Sequence, residues 1–166
     1  MAFSPLDSRL LGGLFASPAM AAVLDDRATL AAMLRVEAAL ARAEAAQGLA
    51  SAALASAIEA VTPESLDIDS IGRATAISGV LPIPFLKALQ GRLPKDLEPA
   101  LHFGATTQDV ADSALALQMR AGFGLLAADL AVTLDSLAGL AEKHAKTPCI
   151  GRTYGQHAAP VSFGFK

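Results

Sequence analysis

Residues 106–148, TTQDVADSALALQMRAGFGLLAADLAVTLDSLAGLAEKHAKTP, decide the fold. Thr106 as N-cap with Asp109 at the third helical position forms a variant of the capping box. Thr147-Pro148 breaks the run at its far end. A helix from about Thr107 to Lys146 extends on the order of 60 Å at ~1.5 Å per residue, twice the span of a small domain. Between Ser113 and Ala141 its only charges are Arg120, Asp129 and Asp135. One apolar stripe runs through Ala114, Leu117, Ala121, Leu125, Ala128 and Val132. A second runs through Leu115, Met119, Phe123, Leu126, Leu130, Leu134 and Leu137. A helix apolar around most of its circumference has to be surrounded by other helices. The chain offers too few of them, so the covering surfaces are expected from further sequence or other subunits.

The rest of the chain reads as shorter helices. Ser17-Pro18 has the form of an N-cap followed by proline at the first helical position. Residues 25–47 form one helix with an apolar face of Leu30, Met33, Leu34, Val36, Leu40 and Ala43, closed by Gly48. Its charged residues Arg27, Arg35, Glu37, Arg42 and Glu44 are expected to be solvated or to pair locally. A helix over about 49–60 stops at Thr62-Pro63. Ser78-Gly79 interrupts the next, and Pro82 and Pro84 restart another that ends at Gly91. Pro94 and Pro99 frame a loop to Ala105. Aromatics are 5% and period-2 alternation is nearly absent, so the predicted class is all-α. The expected division is a helical N-terminal domain, 1–101, and the start of a long-helix bundle domain, 102–166.

Composition narrows the function classes. Net charge is -3, without a basic cluster, which points away from nucleic acid and anionic membranes. Asp7 and Arg9 interrupt any N-terminal signal pattern early, and the expected location is cytoplasmic. The single Cys149 fits a reducing compartment and a small apolar role. Hydrophobic residues make up 53% and charged ones 17%, below the usual quarter. No run of eighteen uncharged apolar residues occurs, so the surplus apolar surface is assigned to burial between subunits rather than to a bilayer.

Two segments carry chemistry. The first, His102-Phe103-Gly104-Ala105-Thr106-Thr107-Gln108-Asp109, places two hydroxyls and an amide at the free N–H end of the long helix. Such an end carries roughly half a positive charge and suits a carboxylate, although an ordinary cap explains Thr106 and Asp109 equally well. The second, Gly151-Arg152-Thr153-Tyr154-Gly155-Gln156-His157-Ala158-Ala159-Pro160, combines a guanidinium, a hydroxyl, an amide and an imidazole. Arg152 is suited to a bidentate grip on a carboxylate, and His157 is an imidazole suited to acid/base work. His144 sits near the helix end, where a cation suits the dipole, and has no assigned role. No Cys/His spacing indicates a metal. The chain stops at Lys166 without a stop signal or polar tail and reads as the front part of a longer enzyme.

Together, Thr106-Thr107-Gln108-Asp109 with Asp112-Ser113-Ala114-Leu115, and Gly151-Arg152-Thr153 with Gln156-His157-Ala158 and Pro160, resemble the first two signature regions of the fumarase/aspartase superfamily. Leu14-Phe15, Ser17-Pro18-Ala19, the stretch from Met33 to Ala43 and Gln156-His157 are most similar to its 3-carboxy-cis,cis-muconate cycloisomerase family. The resemblance implies reversible lactonisation of 3-carboxy-cis,cis-muconate in protocatechuate and other aromatic-compound degradation. It also implies a homotetramer built on a helical bundle, with active sites shared between subunits, and no cofactor. His157 would be the catalytic acid/base-side residue. His102, Thr106, Thr107, Gln108, Arg152, Thr153 and Gln156 would bind a tricarboxylate substrate. Adenylosuccinate lyase is the second family in view, but Ser78-Gly79-Val80 and Tyr154 stand where it usually carries histidine-containing segments. Thr107 departs from the commoner Ser of the first signature. The superfamily's third signature, a mobile Gly-Ser-Ser loop, does not occur in these residues, which leaves a non-catalytic helical assembly piece as the remaining alternative.

Overall fold

A computed structural model describes residues 4–166. Six α-helices and one hairpin follow in order: α1 Pro18–Leu24, α2 Asp26–Ala46, α3 Ala52–Glu59, α4 Ile68–Ser78, α5 Pro82–Gln90, α6 Thr107–Lys143, β1 Pro148–Thr153 and β2 Gln156–Ser162. The chain divides into two compact units, one ending at Gly122 and the other Phe123–Lys166.

Local chemistry fixes the helix starts in the first unit. Ser17 accepts from Met20 N–H, Asp25 from Ala28 N–H at 2.7 Å, Ser51 from Ala53 N–H, and Asp67 from Ser70 N–H. Each satisfies a donor that the first turn leaves without a helical partner. Asp25 both ends α1 and caps α2, so two helices meet there without a loop. Gly48 follows α2 with φ +72, the left-handed end expected of it.

The core of this unit gathers Leu30, Met33 and Leu34 of α2, Leu54 and Ile58 of α3, Ile71 of α4, Phe85 and Leu89 of α5, and Val110 and Ala114 of α6. Gln118, also buried, donates from Nε2 to Val23 O at 3.0 Å and to Thr29 Oγ1 at 3.1 Å. That amide ties the first turns of α6 to the α1–α2 junction without leaving a buried donor unpaired. Arg42 and Glu59 form an exposed ion pair between α2 and α3.

The buried face of α2 differs from the expected one. Glu37 and Glu44 are buried, not solvated, while Val36 and Leu40 are half-buried and Ala43 is exposed. Glu37 and Glu44 sit in step with Leu30, Leu34 and Ala41 at three- and four-residue intervals, so helical geometry carries them inward with the apolar residues.

In the second unit, the stripe residues of α6 are exposed apart from the half-buried Leu125. From Phe123 to Leu140 the helix has no buried residue among those described, and Leu130 is 60% and Leu134 64% exposed. By length and composition α6 could also cross a membrane, a test that apolar bundle helices pass as well. The helix ends at Lys143, three residues before the expected stop, because Thr147 N–H turns back to His144 O.

The hairpin holds the only strands among the described residues, and the sequence reading held no strand there. β1 and β2 pair antiparallel around the two-residue turn Tyr154-Gly155, with an irregularity between Ile150 and Arg152. Gly155 supplies the left-handed residue of this turn, at φ +67. After β2 the chain returns to the end of α6. Gly164 N–H bonds His144 O at 2.9 Å, Phe163 N–H bonds Thr147 O at 2.7 Å, and the Phe163 ring meets His144 edge-on at 5.3 Å. A Cβ on Gly164 would lie 2.2 Å from Ala141 O, so no other residue fits.

Candidate functional site

The candidate residues fall into two groups, one in each unit. The first surrounds the start of α6. Thr106 N–H donates to Asp109 Oδ2 at 2.8 Å, and its hydroxyl donates to the same oxygen at 3.0 Å. Asp109 N–H in turn points at Thr106 Oγ1, at 3.4 Å. This is the reciprocal cap that the sequence predicted. The backbone N–H of Thr106 and then its hydroxyl hold the Asp109 carboxyl below the usual carboxylate range. The side-chain amide of Gln108 donates to Asp112 Oδ1 at 2.7 Å. Thr107 is half-buried, and its hydroxyl has no hydrogen bond among the described residues. The cap thus occupies Thr106, while Thr107 keeps a free hydroxyl beside unsatisfied helix N–H groups.

His102 enters this group from the preceding turn with φ +61, the only left-handed non-glycine residue among those described. Its Nδ1 lies 2.8 Å from Oε1 of Glu37. The Glu37 side chain is fully buried and that of His102 is 17% exposed. Burial pushes the Glu37 carboxyl above the ordinary range, against the hydrogen bond and charge of His102, and nearby Glu44 adds to the rise. Burial raises Glu44 as well, with His102 opposing it. Glu37 Oε2 and both Glu44 oxygens have no hydrogen-bond partner among the described residues. Sequence reasoning missed this carboxylate pair. The available signal was the seven-residue step from Leu30 to Glu37 to Glu44 along the inward face of α2.

The second group lies at the tip of the hairpin. Register places Arg152 opposite His157 and Thr153 opposite Gln156, on either side of Tyr154-Gly155. Four residues read as a loop motif are therefore two cross-strand pairs, whose side chains stand within about 5.5 Å at Cβ. All four are exposed, and none has a side-chain hydrogen bond or ion pair among the described residues. Tyr154 is fully exposed at the turn. Arg152 and His157 stand on one face of the hairpin as adjacent donors for an anion, and the Thr153 hydroxyl and Gln156 amide stand on the opposite face. The hairpin also explains the glycine at 151, where a Cβ would come within 2.6 Å of Ala159 O. No group of three or more His, Cys, Asp or Glu able to hold a metal is present among the described residues.

Known proteins are similar to this one over most of the chain. A 3-carboxy-cis,cis-muconate cycloisomerase from Bradyrhizobium diazoefficiens is 46% identical over 163 residues, covering 96% of this chain and 36% of that protein. The crystal structure of 3-carboxy-cis,cis-muconate lactonizing enzyme from Pseudomonas putida superposes with a TM-score of 0.91 at 42% identity, over 95% of this chain and 36% of that one. An adenylosuccinate lyase from Methanothermobacter thermautotrophicus is 34% identical over the whole chain and 36% of its own length. The chain thus spans little more than a third of the length of these relatives. A family model described as Lyase matches residues 15–166, and with these helices, this capped long helix and this hairpin the chain belongs to that lyase family, within the fumarase/aspartase superfamily.

Proposed function

We propose that the chain supplies the first part of a 3-carboxy-cis,cis-muconate cycloisomerase acting in aromatic-compound degradation. The supporting observation is 46% identity to such an enzyme across both chemical segments. In the reaction, one substrate carboxylate adds its oxygen to a carbon–carbon double bond and a proton is delivered to the neighbouring carbon. Electrons move from the carboxylate into the new C–O bond and from the double bond into the new C–H bond, so no oxidant or reductant is needed. Charge builds on a conjugated carboxylate as the ring closes, and preorganised donors aimed at it lower the barrier most.

The residues divide the work by chemistry. Thr106, Thr107 and Gln108 hold carboxylate oxygens at the α6 N-terminus, with Thr107 the freest of them, and His102 lines the same end. Arg152, Thr153 and Gln156 bind and orient the substrate. His157 stands on the acid/base side of the proton transfer, or polarises the group that does. Residues 1–101 form the helical N-terminal domain and 102–166 begin the bundle domain. The assembly is a cytoplasmic homotetramer in which α6 is enclosed by other long helices, with no cofactor, membrane or nucleic acid involved. A chain of 166 residues alone is expected to be inactive.

The second reading is adenylosuccinate cleavage, supported by 34% identity to an adenylosuccinate lyase and opposed by Ser78 and Tyr154 at positions where that family favours histidine-containing segments. Offering the full-length protein both substrates separates the readings. Loss of the muconate ultraviolet chromophore is the expected outcome, and dominant adenylosuccinate cleavage contradicts it.

A further inference from the structure

We infer that Glu37 is a positioning residue for the α6 end of the site: its carboxylate fixes the tautomer and the backbone of His102, and through it the loop that leads into the cap of α6. The assignment rests on the reading of that helix end as substrate-binding.

Three observations converge. Glu37 Oε1 lies 2.8 Å from His102 Nδ1, bridging α2 to a loop 65 residues further along the chain. With Nδ1–H given to the carboxylate, the Nε2 atom is left as the group offered to a ligand, since it has no hydrogen bond among the described residues. His102 holds a left-handed backbone, which a non-glycine residue keeps only where its surroundings enforce it. The bond to Glu37 is the one side-chain hydrogen bond that His102 makes among the described residues, and Thr106 follows four residues later.

The carboxylate is also expensive. It is 1% exposed, its second oxygen has no partner among the described residues, and Glu44 sits one heptad away on the same helix with both of its oxygens unpartnered. The charged and titratable groups that act on it are His102 from the loop and Glu44 from α2. An apolar side chain of the same length would fill the site without desolvating a charge, which is often neutral or stabilising. A group that stabilises little yet orients an imidazole next to a helix N-terminus is explained by what it does to that imidazole.

The test uses Glu37→Met, His102→Asn and the double variant in the full-length protein, with kcat, KM and Tm measured for each. Asn tolerates the left-handed backbone, so His102→Asn removes the imidazole alone. Glu37→Met should leave Tm at or above the wild-type value and lower kcat by about 10- to 100-fold, the usual range when a histidine loses its orienting partner, with a smaller change in KM. In the His102→Asn background the same substitution should change kcat by less than about 2-fold, because its effect passes through His102. A scaffold role moves Tm and kcat down together. That result, a wild-type kcat in Glu37→Met, or additive losses in the double variant overturns the assignment. Where Glu37→Met does not assemble, Glu37→Gln keeps the volume and drops the charge, and a wild-type kcat there overturns it equally. If the wild type turns over no muconate, the functional reading fails on its own. Amide hydrogen exchange over residues 106–109 then decides the inference: faster exchange in Glu37→Met supports the tie, and unchanged exchange refutes it.

Discussion

The end of α6 and the tip of the hairpin use similar side chains in opposite ways. At the helix end, Thr106 and Asp109 cap each other, Gln108 bonds Asp112 and His102 bonds Glu37. Most polar groups there are committed to a neighbour, and the backbone N–H groups, the Thr107 hydroxyl and His102 Nε2 are what remains. At the hairpin, Arg152, Thr153, Gln156 and His157 are exposed with no partner among the described residues, held in register only by strand pairing. The first group is a built scaffold whose binding power comes from the helix itself. The second is a set of exposed functional groups without side-chain partners among the described residues. The same contrast runs along α6, whose early residues Val110, Ala114 and Gln118 are buried while Leu126, Leu130 and Leu134 are exposed.

Substitutions can break this comparison, and the largest effect belongs to the exposed stripe. Leu126→Glu or Leu130→Glu places a charge on a face that assembly should bury. Loss of the oligomer, seen by size-exclusion chromatography with light scattering, is expected. An intact oligomer of unchanged stability would show that the stripe stays in water.

At the hairpin, His157→Gln should lower kcat by ~10² to 10⁴-fold, the usual contribution of a positioned acid or base. Because the side chain is exposed and unpartnered, Tm should hardly move. Activity within a few-fold of wild type would make His157 a turn residue only.

At the helix end the effects should split between stability and turnover. Thr106→Val removes the cap and should cost ~1 kcal/mol in urea unfolding as well as activity. Thr107→Val removes a hydroxyl with no protein partner and should cost activity alone. Equal stability losses in the two variants contradict the assignment of the cap.

The smallest effect concerns Glu37. Its folded-state pKa is raised by burial above the ordinary 4.5, so the folded protein holds this proton more tightly than the unfolded chain does. The stability it contributes is therefore complete below the ordinary value and is lost as pH rises through the folded one. Glu37→Gln removes this dependence, and its stability relative to wild type should improve with rising pH over the range above about pH 4.5. A constant difference across that range means that Glu37 ionises normally.

Much of this was legible because local rules carried it. Ser17-Pro18, Asp25, Gly48 and the Thr106–Asp109 box are short-range signals, and each stands where the spacing put it. The hairpin was not legible by periodicity, because both of its faces are largely exposed and alternation has nothing to record. Its cue was the pair Tyr154-Gly155 between two short stretches able to pair. Glu37 and Glu44 were misread because charge was taken as a sign of solvent, whereas their position on the inward face of α2 decided their burial. The side chains of Arg152 and His157 were visible in the sequence as a cation and an imidazole, but their opposition across two strands depends on register that a turn must set.

The uncovered face of α6 is expected to be an assembly surface. A large apolar side chain left in water forgoes ~1.5–3 kcal/mol relative to burial, and several in one stripe rival the whole ~5–15 kcal/mol margin of a typical domain. Analytical ultracentrifugation of the full-length protein at micromolar concentration measures this directly. A tetramer that does not dissociate on dilution is the predicted result, and a stable, folded monomer would contradict it.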